Sequence, residues 1–303
     1  MPASPLSASA YEILGVTVDA TPDAVRRAYR LRLRETHPDT GGDSALFIRV
    51  QQAWELIGDA EARAAYDRAT GLGAPEEPVV VRHEAAASTR PRARSYGQPG
   101  GWRRERYLVL AREWAGRGVE LPDPYAAAFV RSAPRELRRM LADALAEEET
   151  ARIVSGLGMG YTVWHDVAAD AVDPEDKLDH VVLGPSGLYG LLSEDYGEPV
   201  GFRRGEITGP HVDGAPVTQL VSRVRAVARA ARVRFSGAIV VLPDDHLADA
   251  VTEFGTVRGI RVAVSSRSGL GTVLRRGLVG AREMGGTELF DVRTRLQQAV
   301  RFV

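Results

Sequence analysis

The sequence predicts a multidomain protein with an all-α helical hairpin over residues 1–70, a flexible linker over 71–101 and a C-terminal α/β domain over 102–303. Three observations lead there. Residues 21–57 hold two runs with apolar positions at helical spacing, separated by a His-Pro-Asp break. Residues 71–101 are rich in proline, glycine and alanine and show no periodic apolar face. Strand-like apolar runs begin only after residue 160. A length of 303 residues fits two domains and a tether.

Composition excludes several functions. The formal net charge of -1 argues against a general polyanion binder. With no cysteine, disulfides, thiolate metal sites and cysteine catalysis are ruled out, and a cytoplasmic location is expected. No run approaches the ~18 apolar residues of a membrane helix, and the N-terminal residues do not read as a secretory signal. Lys177 is the only lysine.

In the hairpin, Thr21 and Pro22 suit a helix start, as N-cap and first helical residue. Val25, Tyr29 and Leu33 share one face, with Arg26, Arg27, Arg30 and Arg34 on the adjoining arc. Proline disfavours helix in the residue before it, so this helix should end near Thr36, ahead of His37, Pro38 and Asp39. Leu46, Val50, Ala53 and Ile57 mark a second helix, flanked by Phe47 and Trp54. A short helix over 61–68 places Tyr66 to close the core.

These residues resemble a known family. YEILGV, RRAYR before HPD, FIRVQQAWELIGD after it and ARAAYD at the end are similar to the J-domain of DnaJ-type co-chaperones, over about residues 9–70. The resemblance implies docking on a DnaK-type heat-shock chaperone and stimulation of its ATPase. By position, the docking roles fall on Arg26, Arg27, Tyr29, Arg30, His37, Pro38 and Asp39. Clustered guanidinium groups steer association with an acidic surface, which agrees with that role. A solvated basic face ended by a proline would explain the stretch taken alone. Three positions depart from the family pattern. Arg32 falls in the apolar arc, Leu31 takes a normally basic place, and Thr36 replaces an aromatic. Arg32 is expected to snorkel past the core edge.

In the linker, Arg90, Arg92 and Arg94 form a small basic cluster near Tyr96, read as solvated. Beyond it, helical patterns cover 102–115 and 134–153, and strand patterns cover 161–167, 178–183 and 188–192. The last two are joined by a GPSG turn. A helix over 217–233, strands over 238–242 and 260–265, and terminal helices complete a mixed-sheet α/β sandwich.

This order, with Asp179-His180, the GPSG turn and residues 216–219 opening a helix, resembles the nuclease-related NERD domain, a restriction-endonuclease-like fold, over residues 147–278. The resemblance implies a divalent cation held by acids, with a lysine on the next strand. Asp179 fits the first acid and Glu149 the upstream helical one, but the second acid and the lysine fall on Leu192 and Glu194. An apolar side chain cannot ligate a metal, and a carboxylate reverses the lysine's charge. Glu149, Asp179, Leu192 and Glu194 therefore read as a vestigial nuclease site. Glu175-Asp176-Lys177 reads as a solvated charged loop, His165 and Asp166 have no spaced partner, and Asp244, Asp245 and His246 read as a turn and helix cap. No catalytic residue, metal site or cofactor is expected. The expected function is a co-chaperone that brings a DnaK-type chaperone to an unknown protein client, with no membrane association. The alternative is a metal-dependent nuclease or nucleic-acid-binding protein with an attached J-domain.

Overall fold

The computed structural model describes residues 4–38, 41–70, 72, 91–116, 118–121, 123–170, 172–281 and 283–303. These form two compact units, one within Met1–His83 and Glu120–Pro134, the other within Glu84–Val119 and Arg135–Val303.

The first unit starts with α1 (Ala10–Leu14), whose N-cap Ser9 forms a reciprocal capping box with Glu12. Helix α2 (Pro22–Glu35) begins at the expected cap, where Thr21 Oγ1 accepts the Ala24 N–H at 3.3 Å. Asp43 caps α3 (Ser44–Ile57) and Asp59 caps α4 (Ala60–Ala69). Tyr11, Leu14, Val25, Val50, Ala53 and Ile57 make the core, with Tyr29, Leu33, Trp54 and Tyr66 packed at its edge. Tyr66 closes it as read, its hydroxyl accepting the Ala10 N–H at 3.0 Å. Arg63 fastens α4 to α1 and to the turn before α2, donating to the Tyr11 hydroxyl at 2.9 Å and to the carbonyls of Ala20 and Val18 at 2.7 Å each. A short helix, α6 (Ala127–Ser132), also lies within the residues of this unit.

The second unit is a seven-stranded mixed sheet between helices. Its strands are β1 (Arg94–Tyr96), β2 (Thr162–Ala168), β3 (Lys177–Gly184), β4 (Gly187–Ser193), β7 (Gly237–Leu242), β8 (Val251–Val257) and β9 (Ile260–Ser266). The sheet order is β1-β2-β3-β4-β7-β9-β8. Strands β2, β3 and β4 are antiparallel neighbours, whereas β4, β7 and β9 run parallel. Strand β7 is buried at every residue, as its unbroken apolar sequence requires between two helical layers. Helices α8 (Pro216–Ala231) and α10 (Gly286–Ala299) contribute to the core on one face. Helices α7 (Arg135–Ser155) and α9 (Arg267–Arg276) contribute to the other. Helix α5 (Gly101–Ala115) packs on α7, and β5 (Gly201–Arg203) with β6 (Glu206–Thr208) forms a separate hairpin.

Several expectations change. The linker read over 71–101 holds an edge strand at its end, because Arg94–Tyr96 pairs in parallel with Thr162–Trp164. Residues 71 and 73–90 of that linker, with Arg90, lie outside the described residues. Strand β8 and the β5–β6 hairpin were not anticipated. Neither carries a continuous apolar run to mark it; β5 is exposed, β6 buries only Ile207 and β8 is half-buried. The GPSG turn stands as read, and a side chain at Gly184 would put its Cβ 2.2 Å from the Tyr161 ring.

Leu192, expected in the vestigial site, is 1% exposed and belongs to the core on the α8 side. Leu192→Ala should therefore cost about 2–5 kcal/mol by cavity formation, measured as a lower urea midpoint for the second unit. A loss below about 0.5 kcal/mol, the usual size for a surface position, would contradict this placement.

Candidate functional site

In the first unit the polar surface is organised around the end of α2. Arg26, Arg27 and Arg30 are exposed, and Arg26 makes an exposed ion pair with Asp23 at 3.5 Å. Tyr29 lies at the core edge, stacked on Trp54 with ring centroids 4.5 Å apart and planes 13° apart. Asp23, Arg26, Arg27, Tyr29, Arg30 and Trp54 line an open depression of about 570 Å³. Helix α2 ends at Thr36 as predicted. The Thr36 hydroxyl donates to the Arg32 carbonyl at 2.8 Å, and the residue is buried.

His37 then sits edge-on to Phe47 with centroids 5.1 Å apart, and its carbonyl accepts the Gly42 N–H at 3.0 Å. Gly42 must be glycine here, because a Cβ would lie 2.3 Å from the Thr36 backbone. Pro38 is exposed, and Asp39 lies outside the described residues. Arg32 is half-buried and reaches out of the apolar arc, pairing with Glu35 at 3.4 Å.

The second unit contains a buried charge cluster. Lys177, fully buried, places Nζ 2.7 Å from Glu147 Oε2, 2.5 Å from Asp166 Oδ1 and 3.1 Å from Asp179 Oδ1. The acids come from α7, β2 and β3. Arg103 of α5 donates to Glu147 at 2.6 Å and to Asp143 at 2.9 Å. The Gly100 N–H reaches Glu147 at 3.1 Å, and the Ser193 N–H reaches Asp179 Oδ2 at 2.6 Å. Beside the cluster, the Ser95 hydroxyl lies 2.7 Å from His165 Nε2, and His165 Nδ1 lies 2.8 Å from His180 Nδ1.

A slip in strand phase gathers these groups. Side chains on a strand alternate faces, yet Trp164 and Val167 enter the same core, as do Val181 and Leu178. These pairs are three residues apart. The slip occurs at Asp166, which has φ 52°, between the paired positions His165↔His180 and Val167↔Leu178. Two consecutive polar residues on each strand thus leave the α8-side core.

Three readings are corrected by this arrangement. The helical acid of the cluster is Glu147, while Glu149 is half-buried outside it, paired with Arg152. Lys177 is buried, not part of a solvated loop, and His165 and Asp166 do have partners. Leu192 lies in the core. Glu194 is buried without a lysine, its nearest cation being Arg139 at 3.8 Å. Asp244–His246 forms the expected turn, and Asp244 accepts the Ser268 N–H at 2.9 Å near the start of α9.

Electrostatics follows burial. Burial, then the neighbouring Asp179 charge, pushes the Glu147 carboxyl up to about 8. Burial and Asp143 push Glu194 up to about 8. Burial also opposes ionisation of Asp179, but Lys177, Arg103 and the Ser193 N–H more than offset it and hold that carboxyl below its usual range. Burial likewise disfavours the Lys177 ammonium, and Asp179, Glu147 and Asp166 reverse the effect and raise it. Burial lowers His165 to about 4 and His180 well below its ordinary value, so both are neutral at pH 7.

A divalent cation held by Glu147, Asp166 and Asp179 would have to stand where Lys177 Nζ stands, so the residues present do not fit that ion. Among the described residues no group of three His, Asp or Glu side chains is arranged to hold a metal. No described helix is long and apolar enough to cross a membrane.

Residues 9–67 match the family model described as DnaJ domain. Over 58 residues the chain is 45% identical to DnaJ protein homolog 2 of Allium porrum, covering 19% of this chain and 14% of that protein. Over 62 residues it is 44% identical to the chaperone protein DnaJ of Ruegeria pomeroyi, covering 19% and 16%. The helical hairpin with its HPD segment is thus a J-domain. The chain spans less than a fifth of the length of these curated relatives, and the family match ends at residue 67.

Linkage fixes the sign of a pH effect. Native Glu147 and Glu194 keep protons that the unfolded chain releases above about 4.5, so their contribution to stability falls as pH rises towards 8. The buried histidines act oppositely, but only below their unfolded value near 6.5. Between about pH 6.5 and 8 the second unit should lose stability, by at most about 1.4 kcal/mol per pH unit for each carboxyl. Glu194→Gln should flatten the slope by roughly half of this two-group effect, and urea unfolding at stepped pH checks both.

Proposed function

We propose that this protein is a J-domain co-chaperone that docks on a DnaK-type chaperone, stimulates its ATPase and directs it to a protein client bound by the second unit. The observation that carries the reading is the DnaJ-domain match over residues 9–67. It is joined by an exposed basic face on α2 that ends at the HPD segment. The docking surface comprises Arg26, Arg27, Tyr29, Arg30, His37, Pro38 and Asp39. The arginines supply charge steering, which salt screens over roughly 8 Å. Stacking on Trp54 holds Tyr29 beside them. The second unit is a degenerate NERD-like domain kept for binding rather than catalysis, which is supported by Leu192 in the core and Glu194 without a lysine.

Single-turnover ATP hydrolysis by the cognate DnaK-type chaperone should accelerate several-fold on adding the full chain. His37→Gln should return the rate to that of the chaperone alone, while far-UV circular dichroism stays unchanged. No acceleration by the intact protein would overturn the proposal.

One observation favours a second reading, a nuclease with an attached J-domain: acids and the sole lysine converge in one cluster. Incubation with Mg²⁺ or Mn²⁺ and mixed DNA and RNA decides it. The nuclease reading requires cleavage that disappears in Asp179→Asn.

A further inference from the structure

We propose that Lys177 is the resident cation of the buried carboxylate cluster, and that removing its side chain opens a divalent-cation site formed by Glu147, Asp166 and Asp179. Three oxygens from three different elements lie 2.5–3.1 Å from one nitrogen. An ammonium has three N–H donors and no acceptor, so each donor meets one carboxylate. The three side chains are 0–3% exposed.

Composition points independently to the same role. The chain has 39 lysine and arginine residues, and Lys177 is the single lysine. A guanidinium is a fork whose donors all lie in one plane, whether it grips one carboxylate, as Arg104 does both oxygens of Glu148 at 2.6 and 2.7 Å, or spans two, as Arg103 does Glu147 and Asp143. It cannot present a compact charge to three carboxylates arriving from three directions. The one place where this chain departs from arginine is the place where a point-like cation is required.

Two of the carboxylates are anchored by groups other than the lysine. Glu147 is held by Arg103 and the Gly100 N–H, and Asp179 by the Ser193 N–H. At Asp166 it is the backbone that is fixed, its carbonyl accepting the Val303 N–H at 3.0 Å. Such outer partners fix the orientation of metal ligands, so the Glu147 and Asp179 oxygens should stay in place once the ammonium is gone. All the donors are hard oxygens, which suit Ca²⁺, Mn²⁺ or Mg²⁺. Calcium–oxygen distances of roughly 2.3–2.6 Å need the least inward movement.

The test uses the full chain and Lys177→Ala, with thermal unfolding of the second unit followed in Ca²⁺, Mn²⁺ or Mg²⁺ titrations. At about a hundred times the dissociation constant the variant should gain roughly 5–10 °C. The gain should saturate, reverse with chelator and vanish in Lys177→Ala/Asp166→Asn, while the natural protein is unmoved by cation or chelator. If the variant does not fold alone, refolding from urea only when one of these cations is present supports the proposal, and failure with all three overturns it. A saturable cation-dependent rise in the natural protein, or none in a folded variant, also overturns it.

Discussion

Lys177 donates to carboxylates from α7, β2 and β3 at once, and through Glu147 the network continues to Arg103 on α5. Moving charges of this size out of water costs several kcal/mol per ion even after relaxation. The cluster is tolerable only because nearly every oxygen meets an N–H. The same feature makes it directional. An apolar core would accept α7 in several rotations, whereas these bonds accept one. The left-handed backbone at Asp166 has the same origin, since regular alternation would turn one of the two adjacent polar residues on each strand into the α8-side core.

The J-domain was legible because its rules are local. A threonine before a proline and a proline after a histidine each set a helix boundary through the residue's own backbone preferences. The structure places α2 between those signals, and α3 carries the apolar spacing read for it. Even the departure at Thr36 has a local explanation. The buried threonine turns its hydroxyl back onto the Arg32 carbonyl, and its backbone lies against Gly42.

The charge cluster was not legible, because its logic is non-local. Glu147 and Glu149 are both acids in one acidic stretch of α7, a helix that mixes charged and apolar residues, and two residues turn a helix by about 200°. Only Glu147 faces inward, and the available signal was its place seven residues before Val154 and four before Ala151, both buried. Lys177 lies in a run of charged residues that read as solvated, and nothing in that run reveals three carboxylates overhead. His165 and Asp166 found their partners only through a phase slip. A strand's sequence does not announce such a slip unless a glycine marks it.

The groups around Lys177 act as one electrostatic unit rather than as separate ion pairs. Leu192 extends the apolar core on the α8 side. Asp179 and Glu147 repel each other in this buried setting, and the Asp179 charge disfavours ionisation of Glu147. An ammonium at Lys177 relieves that repulsion without any soluble ion, and it does so at every metal concentration. Glu194 is buried near Arg139, with its proton retained near neutral pH. A cation that is covalently part of the chain holds the α7, β2 and β3 carboxylates together whatever the ionic composition of the solution.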